Sequence, residues 1–231
     1  MPLLSPDDAK AVQQQFEENI SRPVKMIVVT SQQNCMYCKE VKMLAEELAD
    51  LSDLIAVEAY DMQQDKAIVE LYNLDKTPAM VVVADGRGDE PDTDFGIRFY
   101  GIPSGYEFMS MLDALNTVGS NGKNIQLMPE TRQFLDNLTQ DIHMQVFITP
   151  TCPHCPRAVM LAHHLAYASP RVTSDMVEAM EFQELSNKYS VYGVPRSVIN
   201  ETVHQEGAVP EPMMLQKLKE AVAVSSPATP V

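Results

Sequence analysis

The chain has 231 residues, 45% hydrophobic and 21% charged, a globular rather than a disordered composition. Acidic side chains outnumber basic ones 32 to 17, a formal net charge of -15, which argues against binding nucleic-acid phosphates or an anionic membrane surface. Four cysteines are too few to staple a secreted scaffold, and no apolar run approaches the roughly 18 residues of a membrane-spanning helix. Residues 1–8 lack the basic and apolar regions of a signal peptide, so a cytoplasmic location, where ordinary thiols stay reduced, is expected.

Along the chain, Ser5 and Pro6 predict a helix start, with Ser5 as N-cap and Pro6 at the first helical position. Residues 24–30 are a short apolar, β-rich run leading into a loop with Cys35-Met36-Tyr37-Cys38. Val41, Leu44, Ala45, Leu48 and Leu51 then recur at helical spacing. A strand follows near 54–60, a short helix near 65–73, and a strand from Ala79 after Thr77-Pro78. Gly101-Ile102-Pro103 closes the sheet before a helix near 104–116, and Gly119 to Asn124 reads as a linker. The series then repeats. A helix starts near Pro129, a strand covers 144–149, and Cys152-Pro153-His154-Cys155 follows. Ala158, Leu161, Ala162 and Leu165 mark a helix, with a strand at 172–179 and a short helix at 182–189. Val194-Pro195 precedes the strand Arg196–Ile199, Gly207 to Pro210 closes the second sheet, and a helix spans 211–223. Ser225 to Val231 is expected to fray.

The two copies can be aligned residue by residue. At a shift of 117, Cys35 and Cys38 fall on Cys152 and Cys155, Tyr72 on Tyr189, and Pro78 on Pro195. Met43, Leu44, Ala45, Leu48 and Ala49 fall on Met160, Leu161, Ala162, Leu165 and Ala166. The first strand aligns at a shift of 119, and Val57-Glu58-Ala59 meets Val177-Glu178-Ala179 at 120, so the small indels belong in loops. Two copies of one α/β unit are predicted, residues 1–118 and 119–231, each a central mixed sheet flanked by helices.

A cysteine at a helix N-terminus faces unpaired N–H groups and the positive end of the dipole, which favour thiolate over thiol. Cys35 and Cys152 are therefore the expected nucleophiles. Cys38 and Cys155, one turn on and more buried, are the expected resolving thiols of a mixed-disulfide exchange. The alternative for two such pairs is a tetrahedral zinc site, but 113 residues separate them, against roughly 12–20 in a local zinc module. In each copy the first cysteine precedes the proline by 43 residues. Proline is awkward at the head of an apolar strand, and a cis peptide bond would account for it.

This layout, a Cys-x-x-Cys pair opening a helix and a proline before the third strand, resembles the thioredoxin fold. The resemblance implies that Thr77 and Val194, beside Pro78 and Pro195, hold the substrate chain through their backbones. Two such units, with Phe95-Gly96-Ile97-Arg98-Phe99-Tyr100-Gly101-Ile102-Pro103-Ser104-Gly105 and Tyr192-Gly193-Val194-Pro195-Arg196, resemble the glutaredoxin-like protein disulfide oxidoreductases of thermophilic archaea and bacteria over residues 6–223. The N-terminal module of flavin-dependent alkyl hydroperoxide reductase has a similar double fold, but one of its units has lost its cysteines. The resemblance implies protein thiols and disulfides as substrates, a thioredoxin-reductase-like flavoprotein as electron source, and no bound cofactor. The alternatives are an electron relay from a flavoprotein to a peroxiredoxin, and a zinc- or client-binding module without turnover.

Thioredoxin keeps a buried acid in the strand before its cysteines, whereas residues 25–29 and 144–148 contain neither Asp nor Glu. Glu58 or Glu178 on the next strand is the candidate proton relay, a solvated charge being the commoner reading. His154 lies between the second pair. In cationic form it would stabilise the Cys152 thiolate, making that pair the more oxidising. Lys39, Lys42, Arg157 and Arg196 would soften the acidic surface near the cysteines. His163 and His164 align with Glu46 and Glu47 and read as a solvated helix face. The methionines, among them Met43, Met109 and Met160, read as core packing. With 10 Lys, 14 Gln and 15 Met the composition suggests a mesophilic or moderately thermophilic source.

Overall fold

A computed structural model describes residues 2–88 and 90–225. Of the tail expected to fray, residues 226–231 lie outside the described residues.

The first half runs α1 (Pro6–Asn19), β1 (Val24–Thr30), α2 (Cys38–Ala49), β2 (Ile55–Asp61), α3 (Lys66–Leu71), β3 (Ala79–Ala84), β4 (Thr93–Tyr100) and α4 (Phe108–Gly119). The second runs α5 (Pro129–Asp136), β5 (Ile142–Ile148), α6 (Cys155–Ala168), β6 (Val172–Glu178), α7 (Gln183–Lys188), β7 (Arg196–Ile199), β8 (Val203–Glu206) and α8 (Glu211–Ser225). Local signals explain the element starts. Ser5 Oγ accepts the Asp8 N–H at 3.1 Å while Pro6 occupies the first turn of α1, and Pro129 opens α5 in the same way. The expected linker is a packed turn. The Gly119 carbonyl accepts from Ser21 and Arg22, and Ser120 is buried.

The halves do not keep separate sheets. All eight strands form one sheet in the order β2-β1-β3-β4-β6-β5-β7-β8. The joint is the parallel pair β4 and β6, in register from Ile97 opposite Ser174 to Tyr100 opposite Val177. The joint removes one unpaired edge from each half, leaving β2 and β8 outermost. Around it, α4 of the first half lies against α6 of the second, and Phe95 stacks on Tyr167 with ring centroids 4.4 Å apart.

Burial follows from this order. β3 is interior to the sheet, and all six of its residues are buried, as a continuous apolar run requires. One face of the sheet carries a core built with α1, α2, α4, α5, α6 and α8, and the other is covered around α3 and α7. β1 and β5 run in the same direction, because each is linked to the β4–β6 joint through parallel pairings or paired antiparallel ones. Both cysteine loops therefore leave the same edge of the sheet. Four strand steps separate β1 from β5, roughly 19 Å.

Candidate active sites

β1 and β5 each end in a turn that delivers one cysteine pair. Cys35–Cys38 and Cys152–Cys155 are both disulfide-bonded, each with a Cα–Cα distance of 5.5 Å. The helices begin at the second cysteine, with Tyr37 and His154 as N-caps. The first cysteine thus sits in the turn before the helix, not within its first turn as the spacing suggested. The burial order is as expected: Cys38 and Cys155 are buried more deeply than Cys35 and Cys152. The Ser31 N–H donates to Cys38 Sγ at 3.3 Å, so the enclosed sulfur has a polar partner.

Thr77-Pro78 and Val194-Pro195 are both cis. Each proline carbonyl accepts a backbone N–H from the next turn, Gly101 to Pro78 at 3.1 Å and Gly207 to Pro195 at 2.8 Å. These bonds hold the proline loops against the cysteine turns. Cys152 Sγ lies 3.8 Å from the Val194 carbonyl oxygen. In the first half, Asn34, Cys35, Met36, Thr77 and Pro78 share a cleft of about 480 Å³ whose remaining wall is Glu181 of the second half. Two clusters are thereby assembled, Cys35, Cys38, Thr77 and Pro78 in one, Cys152, Cys155, Val194 and Pro195 in the other. His154 is exposed between the second pair. Arg196 is engaged away from the cysteines, with its Nη2 3.0 Å from His204 Nδ1 and its Nη1 on Glu206.

Three carboxyl groups stand near the sites, and their burial was largely unforeseen. Glu58, on the edge strand β2, accepts from Tyr60 Oη at 2.6 Å and pairs with Lys25 at 3.1 Å, a partly exposed network. Its repeat partner Glu178, on interior strand β6, is buried, which overturns the solvated reading there. Burial raises its pKa against the lowering influence of the Glu181 and Met180 N–H groups. Glu181 follows, raised to about 7 chiefly by burial, with Glu178 and Glu40 adding repulsion and the Ile102 N–H opposing. Glu107 lies in the short 3-10 turn Gly105–Glu107 that reaches the second cysteine loop, where the Tyr106 N–H donates to the Pro150 carbonyl at 2.9 Å. It is fully buried, accepts from Ser110 Oγ at 2.6 Å, and burial raises it to about 7. A carboxyl of that acidity gives or takes a proton near neutral pH. The only sequence signal for these residues was an acid placed among apolar neighbours at a sheet end.

Two expectations about the surroundings are corrected. His163 and His164 are not a solvated face. His163 is buried edge-on to Phe99, 4.8 Å between centroids, and His164 Nε2 lies 2.8 Å from Asp113 Oδ2 of α4. The methionines are not all core. Met36, Met109 and Met180 are mostly exposed. Met36, Tyr37 and Met180 line a largely apolar cleft of about 480 Å³ together with Ile102, Pro150, Glu178 and Glu181, drawn from both halves.

Comparison with known proteins agrees with this architecture. A family model described as a thioredoxin domain matches residues 142–220. Among solved structures, a protein disulfide oxidoreductase from Aeropyrum pernix superposes with a TM-score of 0.84 at 25% identity, covering 95% of this chain and 94% of that one. The corresponding N-terminal domain of alkylhydroperoxide reductase from Enterococcus faecalis superposes at 0.82 with 23% identity, covering 93% and 99%. An alkyl hydroperoxide reductase component of Staphylococcus aureus is 26% identical over 183 residues, 78% of this chain and 31% of that protein. A protein named NADH dehydrogenase from Ferdinandcohnia aciditolerans is 25% identical over 175 residues, 76% and 30%. The chain thus spans about a third of the length of these curated relatives. The fold is that of tandem thioredoxin-like units, joined here through β4 and β6.

Proposed function

We propose that this thioredoxin-fold thiol–disulfide oxidoreductase with two Cys-x-x-Cys sites exchanges disulfides with protein substrates, one site in each of the units 1–118 and 119–231. The observation that carries the reading is the pairing, on one sheet edge, of each Cys-x-x-Cys disulfide with its own cis-proline loop. The less buried sulfur of each pair is the one an incoming disulfide reaches. Cys35 or Cys152 attacks as thiolate, a mixed disulfide forms and one substrate thiolate leaves. Cys38 or Cys155 then attacks the mixed disulfide, releasing the second substrate thiol and closing the enzyme disulfide. An extended substrate segment lies beside Thr77 and Pro78 in the first site, and beside Val194 and Pro195 in the second. The exchange itself requires no cofactor.

At roughly 19 Å apart the pairs do not bind one zinc ion between them, nor exchange directly without a shuttle or a movement. A second reading is favoured by the similarity to the alkyl hydroperoxide reductase component: electrons enter from a flavoprotein and leave to a peroxiredoxin, the chain acting as relay. Among the described residues no helix is long and apolar enough to cross a membrane, and we take the working location to be the cytoplasm.

The test is a redox titration in glutathione and dithiothreitol buffers, with thiols trapped and each pair read by peptide mass spectrometry. Two reversible pairs are expected. Two silent pairs would refute the oxidoreductase reading, and one would point to a relay with a vestigial unit. Reduction of insulin by the reduced protein, against reduction of a peroxiredoxin, separates the two readings.

A further inference from the structure

The strand that feeds the first site, Val24–Thr30, carries no acidic side chain. The cleft beside Cys35 nevertheless has one, contributed by the other half. Of the described residues around it, Asn34, Cys35, Met36, Thr77 and Pro78 belong to the first half, and Glu181 alone comes from the second. We propose that Glu181 is the proton-exchanging group of the Cys35–Cys38 site, so that the first site is completed by the second unit. The proposal rests on the disulfide-exchange reading above and deepens it.

The geometry is specific. Glu181 Oε1 accepts the Ile102 N–H at 2.7 Å, which anchors the carboxyl to the first half's turn after β4. Its Oε2 is enclosed and has no hydrogen-bond partner among the described residues. The Glu181 N–H donates to Glu178 Oε2 at 2.6 Å, and Glu178 Oε1 is likewise enclosed without a partner among them. Two carboxyls this close and this dry do not both ionise readily, so a proton is retained between them near neutral pH. The backbone makes room for them at Gly101, which has φ +91°. A Cβ there would lie 2.6 Å from Glu178 Cβ and 2.7 Å from Glu181 Oε1. The groups that bear on Glu181 are Glu178 beside it on the second half, and Glu40 of α2 and the Ile102 N–H on the first.

In the reduced protein, the Glu181 carboxylate takes the proton of the Cys35 thiol as its sulfur attacks the substrate disulfide. The Cys35–substrate S–S bond forms, the substrate S–S bond breaks, and the departing thiolate receives the proton from the Glu181 carboxylic acid. Glu181 returns to carboxylate. When Cys38 later displaces the second substrate sulfur, Glu181 mediates the same transfer. Dithiol plus substrate disulfide becomes enzyme disulfide plus two substrate thiols. A carboxyl with a pKa near neutrality serves both directions, whereas an ordinary glutamate holds too little acid at pH 7 to do so.

The competing role for Glu181 is a clasp between halves. Glu181→Gln separates the two, because its amide oxygen still accepts from Ile102 while its titration is gone. The assay uses the whole chain, reduced, with Cys35 and Cys152 alkylation followed separately by peptide mass spectrometry from pH 4 to 10. Disulfide exchange at each site is measured in parallel. In the unsubstituted protein the Cys35 profile should show two inflections, one near the carboxyl's own titration. In E181Q it should collapse to one, displaced to lower pH because the neighbouring negative charge is gone. Exchange through Cys35 should fall on the order of 100-fold at pH 7, the scale of a lost acid–base group, with Cys152 unchanged. Glu181→Ala, which also loses the clasp, should match E181Q in exchange and differ from it in stability. Superimposable Cys35 profiles and rates for E181Q and the unsubstituted protein would overturn the proposal while leaving the oxidoreductase reading intact. Absence of exchange in the unsubstituted protein would overturn that reading, and this proposal with it.

Discussion

Replacing His163 with leucine should flatten part of the pH dependence of folding stability. The ring is fully enclosed in α6, edge-on to Phe99, and neither nitrogen has a well-formed hydrogen bond. Burial is the largest influence on it and holds the folded-state pKa at about 4, against 6.5 for a free histidine. A histidine depressed in this way favours the folded state fully above pH 6.5 and loses that contribution as pH falls toward 4, since the unfolded chain takes up the proton first. The full span is about 3 kcal/mol, of which about 2 kcal/mol is gone by pH 5. The leucine variant has no such titration and is spared two unpartnered polar atoms, so it should also be about 1 kcal/mol more stable at pH 7.5. Urea unfolding of the oxidised protein at pH 7.5, 6 and 5 measures this. The quantity to read is the stability of the variant minus that of the unsubstituted chain. Buried carboxyls such as Glu107 tilt the raw curves the opposite way and cancel in the difference. That difference should grow by about 2 kcal/mol between pH 7.5 and 5. A constant difference would show that the ring is solvated or paired in solution and refute the argument.

The opposite sign is expected at Glu107, whose folded pKa is raised to about 7 from 4.5. Its favourable contribution is complete below pH 4.5 and lost as pH rises through 7, so Glu107→Gln should gain on the order of 2 kcal/mol at pH 8 and almost nothing at pH 4.5, by urea unfolding. Gly105→Ala should lower stability by more than about 2 kcal/mol, because φ there is +59° and an added Cβ would stand 2.3 Å from the Pro150 carbonyl oxygen; a melting temperature within a degree of the parent would contradict the packing of this turn on the second cysteine loop. The two sites should differ in reactivity, with Cys152, next to His154, alkylated by iodoacetamide at lower pH than Cys35, which shares its cleft with Glu181. Coincident alkylation curves would sink this asymmetry, and His154→Ala should narrow the gap.

What was legible in the sequence was local. Cysteine spacing, proline placement, Ser5 as a cap and the helical recurrence of Leu44, Leu48, Leu161 and Leu165 each encode their own neighbourhood, and the repeat makes two weak readings into one firm one. What the repeat concealed was that equivalent residues have different neighbours. Glu58 and Glu178 align, yet β2 is the edge of the sheet and β6 its middle, so one is solvated and the other buried. Glu47 and His164 align, but Glu47 accepts the N–H groups of Leu3 and Leu4 near the chain start, whereas His164 faces Asp113 on α4 of the other half. Nothing within a strand's pattern says which foreign strand will pair with its free edge. β4 and β6 offered compatible edges, and their union is visible only in three dimensions.

That union explains why the acids missing from the strands before the cysteines are not missing from the protein. Joining β4 to β6 in parallel sets the C-terminal end of β6 beside the turn after β4, and that places Glu178 and Glu181 against Gly101 and Ile102. The same joint brings the 3-10 turn of the first half under Pro150, and Glu107 with it. Each half thus supplies a buried carboxyl to the other's side of the interface, and both carboxyls titrate near neutrality because the interface is dry. A chain of two independent units would have had to carry an acid in each first strand, buried within that strand's own core. Here the interface that removes two sheet edges also encloses the acids, and stability and acid–base chemistry have one structural source. The two are therefore coupled: a substitution that loosens the β4–β6 joint should let water reach Glu181 and return its acidity toward an ordinary glutamate, even where both disulfides and both proline loops are untouched.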